Sequence, residues 1–264
     1  IFFIFSIIFH KKKGKKLNFQ TINPATEETI KEYQEHSQNE VFNKIEESNQ
    51  RFKFWKKVSI SDRIKYFEGL VKILEDKKSE YADLMTLEMG KPISQSMAEV
   101  DKCIWVSKYY IENAEKQLEQ QNISTEMSES YVIFEPLGVV FSIMPWNFPF
   151  WQVFRFVIPA VIAGNTVILK HSPNTTGVGI AIEKLFLESD FPNGVLNNII
   201  VSQKSVPEMS KKILESNMLP AVTFTGSSSA GAKVTSIAGE NLKKSVMELG
   251  GSDPYIIFKD ADLD

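Results

Sequence analysis

The 264 residues carry 30 basic and 33 acidic side chains for a net charge of -3, with 43% hydrophobic and 24% charged content. This is the composition of a globular chain able to bury a sizeable core, without the basic excess that sequence-independent nucleic-acid binding requires. One cysteine excludes an internal disulfide and a multi-thiolate metal site, and His10, His36 and His171 fit no zinc spacing, so no metal is expected.

The chain opens on Ile1, and eight of its first nine residues (IFFIFSIIF) are apolar; five lysines follow within positions 11–16. A bilayer crossing needs roughly 20 apolar residues, and a secretory signal places its positive charge before the apolar run. Residues 1–17 are therefore read as a tail outside the fold, with no membrane role. Residues 18–30 (NFQTINPATEETI) mix turn formers with short extended stretches. Ile60, Ile64, Phe67, Val71 and Leu74 recur at helical spacing, with Ser61–Asp62 placed to cap the start. Val100, Ile104, Ile111, Ala114 and Leu118 repeat the pattern in a second long helix. Cys103 lies beside that apolar face, where a thiol is packing rather than a nucleophile. Residues 120–136 turn polar and then extended, as a hairpin does.

From residue 137 the pattern becomes a regular alternation. Val139–Met144, Thr166–Lys170, Val195–Val201, Ala221–Thr225 and Ser245–Leu249 read as buried strands. Helical segments lie between them near 152–163, 177–188, 205–216 and 229–239. Such alternation predicts βαβ units and a parallel sheet covered on both faces. The segment WQVFRFVIPAVIA is apolar nearly all round, and Pro159 is expected to kink it.

Ligands of an open parallel sheet bind outside the carboxyl ends of its strands. The residues just past the strands are Pro145–Trp146–Asn147, Lys170–His171–Ser172, Ser202, Gly226–Ser227 and Glu248–Gly250. Asn147 sits in PWNFP between two prolines; it is either a rigid oxyanion donor or a turn asparagine bonding its own backbone. Lys170 ends an apolar strand, where an ammonium is simply solvated or else binds ribose hydroxyls or a phosphate. Position 173 is proline, so no carboxylate stands three residues later to repel a 2′-phosphate, and NADP is not excluded. FTGSSSAGAK (224–233) is a strand, a glycine turn and a helix start, suited to a pyrophosphate; Ser227 could equally be a plain N-cap. Gly226 and Gly231 have P-loop spacing, but Ala232 replaces the lysine, which argues against an ATPase. Glu248 heads ELGG and is expected to be partly desolvated, which suits a general base; the alternative is a solvated strand-end glutamate. Arg155 could pair a substrate carboxylate or brace a helix.

The stretches NPATEE (23–28), MGKP (89–92), EPLGVV (135–140), PWNFP (145–149), AGNTVILK (163–170), FTGS (224–227) and ELGGSDP (248–254) occur in the order found in aldehyde dehydrogenases. Over residues 18–264 the chain resembles the N-terminal half of that family, and LKHSPN (169–174) is most similar to NAD(P)-dependent succinate-semialdehyde dehydrogenases. The resemblance implies an α/β fold with a Rossmann-like parallel sheet, N-terminal helices and an oligomerisation hairpin, the catalytic domain being absent. It divides the chain into a helical part of the cofactor-binding domain (18–117), the hairpin (118–136) and a dinucleotide-binding α/β domain (137–264).

By the same resemblance, a cysteine thiolate attacks the aldehyde, hydride passes to NAD or NADP, and water cleaves the thioester. Asn147 then matches the oxyanion donor and Glu248 the base. Pro145, Trp146, Lys170, Ser172, Gly226, Ser227, Leu249 and Gly250 match cofactor contacts. The family nucleophile lies beyond the last residue, and Cys103 matches none, so the chain alone is expected to be inactive. A sequence cut at both ends is one reading; a non-catalytic dinucleotide-binding or interaction module is another. An enzyme of another class, such as a reductase of acyl phosphates, fits Asn147 and Glu248 less well. A small aldehyde is the implied substrate, the full-length form is expected to be a homo-oligomer, and the expected location is cytoplasmic, a mitochondrial one staying open.

Overall fold

A computed structural model of the chain describes residues 18–262; the apolar and lysine-rich segment 1–17 lies outside the described residues. β1 (Asn18–Ile22) and β2 (Thr29–Gln34) pair antiparallel around the NPATEE turn, where Ala25 N donates to Asn23 Oδ1 at 2.9 Å. Four helices follow: α1 (Gln38–Trp55), α2 (Ile60–Asp76), α3 (Lys78–Met89) and α4 (Ile93–Gln117).

The apolar periodicity predicted α2 and α4, and it buries Ile64, Phe67, Val71, Leu74, Val100, Ile104 and Ala114 as expected. α1 and α3 go beyond that reading. The inner stripe of α1 is thin (Val41, Ile45, Ser48, Trp55), so its start is marked instead by a capping box. Ser37 N donates to Glu40 Oε2 at 2.7 Å, and Glu40 N returns a bond to Ser37 Oγ at 3.4 Å. The cap of α2 is Ser59, not Ser61–Asp62. Ser59 has the extended backbone that lets its hydroxyl accept from Asp62 N at 3.1 Å, and residues 61 and 62 already lie within the helix. Beyond α4, β3 (Gln121–Asn122) and β4 (Tyr131–Val132) form the short antiparallel pair expected near 120–136.

The remaining chain is β5 (Val139–Ile143), α5 (Trp151–Ile162), β6 (Thr166–Lys170), α6 (Thr176–Glu188), β7 (Leu196–Asn198), α7 (Val206–Glu215), β8 (Ala221–Thr225), α8 (Ser228–Glu240) and β9 (Lys244–Glu248). The five strands are all parallel, in the order β7-β6-β5-β8-β9. The chain thus winds outward from β5 to β7, then crosses back and winds the other way, and the strand order reverses between β5 and β8.

Alternate side chains feed two cores, as the pleat requires. Val139, Phe141, Ile143 and Ile168 pack with α1, α7 and α8 residues such as Ile45, Ile213 and Val234. Val167 and Leu169 pack on the other face with Phe67, Val100 and Val157 of α2, α4 and α5. Pro159 lies inside α5, which runs on to Ile162.

β9 corrects the expectation of five buried strands. It stands at the sheet edge, with Val246 52% exposed, because among the described residues it pairs with β8 alone. Among the described residues, no helix is long and apolar enough to cross a membrane.

The link from α5 to β6 turns at Gly164, where φ is +99° and an added Cβ would lie 2.4 Å from Nη1 of the buried Arg63. Gly164→Ala should therefore lower unfolding free energy by more than about 1 kcal/mol in urea titration; an unchanged midpoint would contradict this packing.

Candidate functional site

A cavity of about 410 Å³ opens where the strand order reverses. Pro145, Trp146 and Asn147 enter it from the end of β5, Thr225, Gly226 and Ser227 from β8, and Glu248, Leu249 and Gly250 from β9; Gln152 and Arg155 of α5 complete the wall. Register explains the convergence: Ile143 pairs with Phe224, and Thr225 with Glu248, so these strands end at nearly one level.

Asn147 does make the local bond open to a turn asparagine, its Oδ1 accepting from Phe148 N at 3.0 Å. That bond uses only the carbonyl oxygen. The Nδ2 amino group remains a donor, so the turn role and an oxyanion role are compatible in one side chain. The turn itself is held from below. Glu99, buried on α4, accepts from Phe150 N and Trp151 N, both at 2.9 Å, at the start of α5. Its other oxygen pairs with the buried Lys91, whose Nζ also stands 3.9 Å from the Phe148 ring centroid. Lys91 belongs to MGKP, which is thereby tied to PWNFP across the core.

The β8–α8 turn also combines two readings. Ser227 caps α8, accepting from Ala230 N at 3.4 Å, and the helix N-terminus opens onto the cavity. A Cβ at Gly226 would come within 2.7 Å of the Phe224 ring, and one at Gly231 within 2.3 Å of Leu249 Cδ2. The P-loop-like spacing therefore arises from two separate packings, Gly226 against Phe224 and Gly231 of α8 against Leu249 of ELGG.

Glu248 departs from expectation. It is not desolvated: its side chain is 55% exposed and lies 3.5 Å from Arg155 Nη1. Arg155 Nη2 also donates to Thr225 Oγ1 at 3.2 Å, so the guanidinium braces two strand ends across the cavity.

Lys170 departs in the opposite sense. It is only 5% exposed, its ammonium has no hydrogen-bond or ion-pair partner among the described residues, and burial pushes that ammonium down to about 8. Lys170 ends β6 and Ser172 follows it, on the far side of β5 from β8, and neither lines this cavity. Cys103 is buried in the core, and burial pushes its thiol up, as befits inert packing. No cluster of three or more His, Cys, Asp or Glu able to hold a metal occurs among the described residues.

No sequence motif gives Glu99 a role, and the sequence places His171 only just past a strand; in the fold both bond the loop that carries Asn147, and for His171 the ring does so. Nδ1 of that ring accepts from Ser172 N at 2.9 Å, so the ring proton sits on Nε2, which donates to Pro149 O at 2.9 Å. Burial first, and Lys170 nearby, push this imidazole down to about 4.

A parallel sheet with a ligand-sized cavity at its reversal of strand order defines a doubly wound α/β protein of the nucleotide-binding kind. The profile of the aldehyde dehydrogenase family matches residues 9–264. This chain belongs to that family.

It is 42% identical over 244 residues to a probable NADP(+) succinate-semialdehyde dehydrogenase of Synechocystis, covering 92% of this chain and 53% of that one. It is 38% identical over 247 residues to NADP(+) succinate-semialdehyde dehydrogenase 1 of Mycobacterium tuberculosis, covering 92% and 53%. The crystal structure of succinic semialdehyde dehydrogenase from Streptococcus pyogenes in complex with NADP+ superposes with TM-score 0.86 at 31% identity, over 92% of this chain and 53% of that one. The chain spans about half the length of the curated relatives it matches.

Two measurements check this site. Breaking the buried Lys91–Glu99 pair from one side, by Lys91→Met or Glu99→Gln, should cost about 3–5 kcal/mol in urea titration, and the double variant less than the sum; simple additivity would show that the pair is not coupled. His171 is neutral when folded, so the unfolded chain binds the extra proton as pH falls through the window from 6.5 to 4. Its contribution is full above that window and is lost through it, and the pH–stability curve of His171→Gln should be flatter there.

Proposed function

We propose that this chain is the dinucleotide-binding part of an NAD(P)-dependent aldehyde dehydrogenase that oxidises succinate semialdehyde to the dicarboxylate, its nucleophilic cysteine lying outside these 264 residues. The observation that carries this reading is the cavity at the strand reversal, lined together by Asn147, Gly226–Ser227 and Glu248. Residues 18–117, 118–136 and 137–264 serve in it as the helical part of the cofactor domain, an oligomerisation hairpin and the dinucleotide-binding sheet.

The residues present fit a dinucleotide. The α8 N-terminus carries unpaired amide dipole toward the cavity, where a pyrophosphate is favoured, and Gly226 and Gly250 admit close approach. Lys170 is a buried cation without a counter-charge, one strand away from β5, and suits ribose hydroxyls or a phosphate; Ser172 follows it. Proline at 173 leaves no carboxylate to repel a 2′-phosphate, in keeping with the NADP(+) relatives. Pro145, Trp146 and Leu249 supply apolar wall. When bound, the nicotinamide supplies the hydride acceptor.

The chain's own groups do the rest. The Asn147 amino group donates to the oxygen of the attacked carbonyl. Glu248, exposed to water and held by Arg155 until substrate arrives, takes the proton of the hydrolytic water. Arg155 offers a guanidinium for the carboxylate of a semialdehyde acid. The assembled enzyme is a cytoplasmic homo-oligomer in this reading.

NADP+ titrated into the 264-residue chain by calorimetry should bind, and Lys170→Met should weaken that binding about tenfold, the equivalent of one charged contact. Succinate semialdehyde with NADP+ should give no reduced cofactor. Failure to bind either dinucleotide would overturn the cofactor assignment, and turnover would overturn the placement of the thiol.

A further inference from the structure

We infer that His171 is a positioning residue that ties the loop after Lys170 to the Asn147 turn, so that both parts of the site are held as one unit. Its catalytic consequence rests on the roles proposed above for Asn147 and Lys170.

β5 and β6 are paired in register to Ile143 and Lys170, and their last shared bond runs from Met144 N to Lys170 O at 3.1 Å. Beyond it the two chains diverge into separate loops. The β5 loop has prolines at 145 and 149, which have no N–H to donate, so part of its anchoring has to come through its carbonyls. Pro149 O receives that anchor from His171 Nε2, two residues from Asn147.

The opposite edge of the same ring shapes the β6 loop. Nδ1 accepts from Ser172 N at 2.9 Å and lies 2.9 Å from Thr175 Oγ1. A neutral imidazole is the one side chain that accepts at one edge and donates at the other through a rigid ring. Room for it comes from Gly179, where a Cβ would stand 2.9 Å from His171 Cβ. The ring is 5% exposed and does not line the cavity at the strand reversal, so it acts there through its neighbours. Glu99 holds the amide side of the same turn at Phe150 and Trp151, and His171 holds the carbonyl side.

The test uses nitrogen-15 NMR on the 264-residue chain and three variants. In the parent chain at neutral pH, the His171 ring should show a proton on Nε2 and none on Nδ1; the reverse tautomer overturns the inference. His171→Asn keeps an acceptor at the Nδ1 position and loses the Nε2 donor. It should shift the Asn147 side-chain amide and the Phe148 backbone amide while leaving NADP+ affinity within about threefold. His171→Gln, whose amide reaches the Nε2 position, should return those resonances toward the parent values. His171→Leu loses both edges and should shift the Asn147 and Phe148 signals and weaken NADP+ about tenfold.

Unmoved Asn147 and Phe148 signals in both His171→Asn and His171→Leu would overturn the inference. A parent chain that does not bind NADP+ sinks the dinucleotide reading instead, and the tautomer and amide shifts still decide the role of His171.

Discussion

A buried carboxylate beneath a helix start organises the loop that carries Asn147. Every helix begins with amides that lack intrahelical partners, and α5 begins inside the core, where water cannot supply them. Glu99 satisfies two of those amides from α4, and Lys91 neutralises the charge this requires. A buried ion pair contributes little net stability compared with an apolar replacement. What it does supply is direction, because two backbone bonds hold the start of α5 and a cation stands over Phe148, next to Asn147.

Glu88 repeats the device one helix away. Buried at the end of α3, it accepts from Gly177 N at 2.9 Å and Val178 N at 3.0 Å, and so holds the start of α6 behind the Lys170 loop. Burial raises its affinity for a proton, and the two amides offset that rise only in part. The N-terminal helices are thus more than a layer covering the sheet. Carboxylates on α3 and α4 set the starts of α6 and α5, the helices that follow β6 and β5, and those strands lead into the loops on which the proposed chemistry depends.

Much of this was legible in the residues. Strands β6 and β8 and the four intervening helices followed from apolar runs and their punctuation, because buried parallel strands need continuous apolar segments whatever surrounds them. The cluster of Asn147, Gly226, Ser227 and Glu248 followed from the rule that ligands meet a parallel sheet at its carboxyl edge. α1 was also announced, by the Ser37–Glu40 capping box, but its sparse apolar stripe hid it from a periodicity count. α3 carries no such signal at its start: Lys77 makes no side-chain cap bond.

What the sequence determined by itself was local: where strands and helices alternate, which turns demand glycine or proline, and which polar groups stand at strand ends. The tertiary structure alone decided the environment of each group. Lys170 and Glu248 both close strands of the sheet, yet β6 has a strand on each side and buries its lysine, whereas among the described residues β9 pairs with β8 alone and its glutamate stands exposed beside Arg155. Burial depends on strand order, and partners such as Glu99 for Phe150 or His171 for Pro149 are brought together over tens of residues, so no local pattern encodes them.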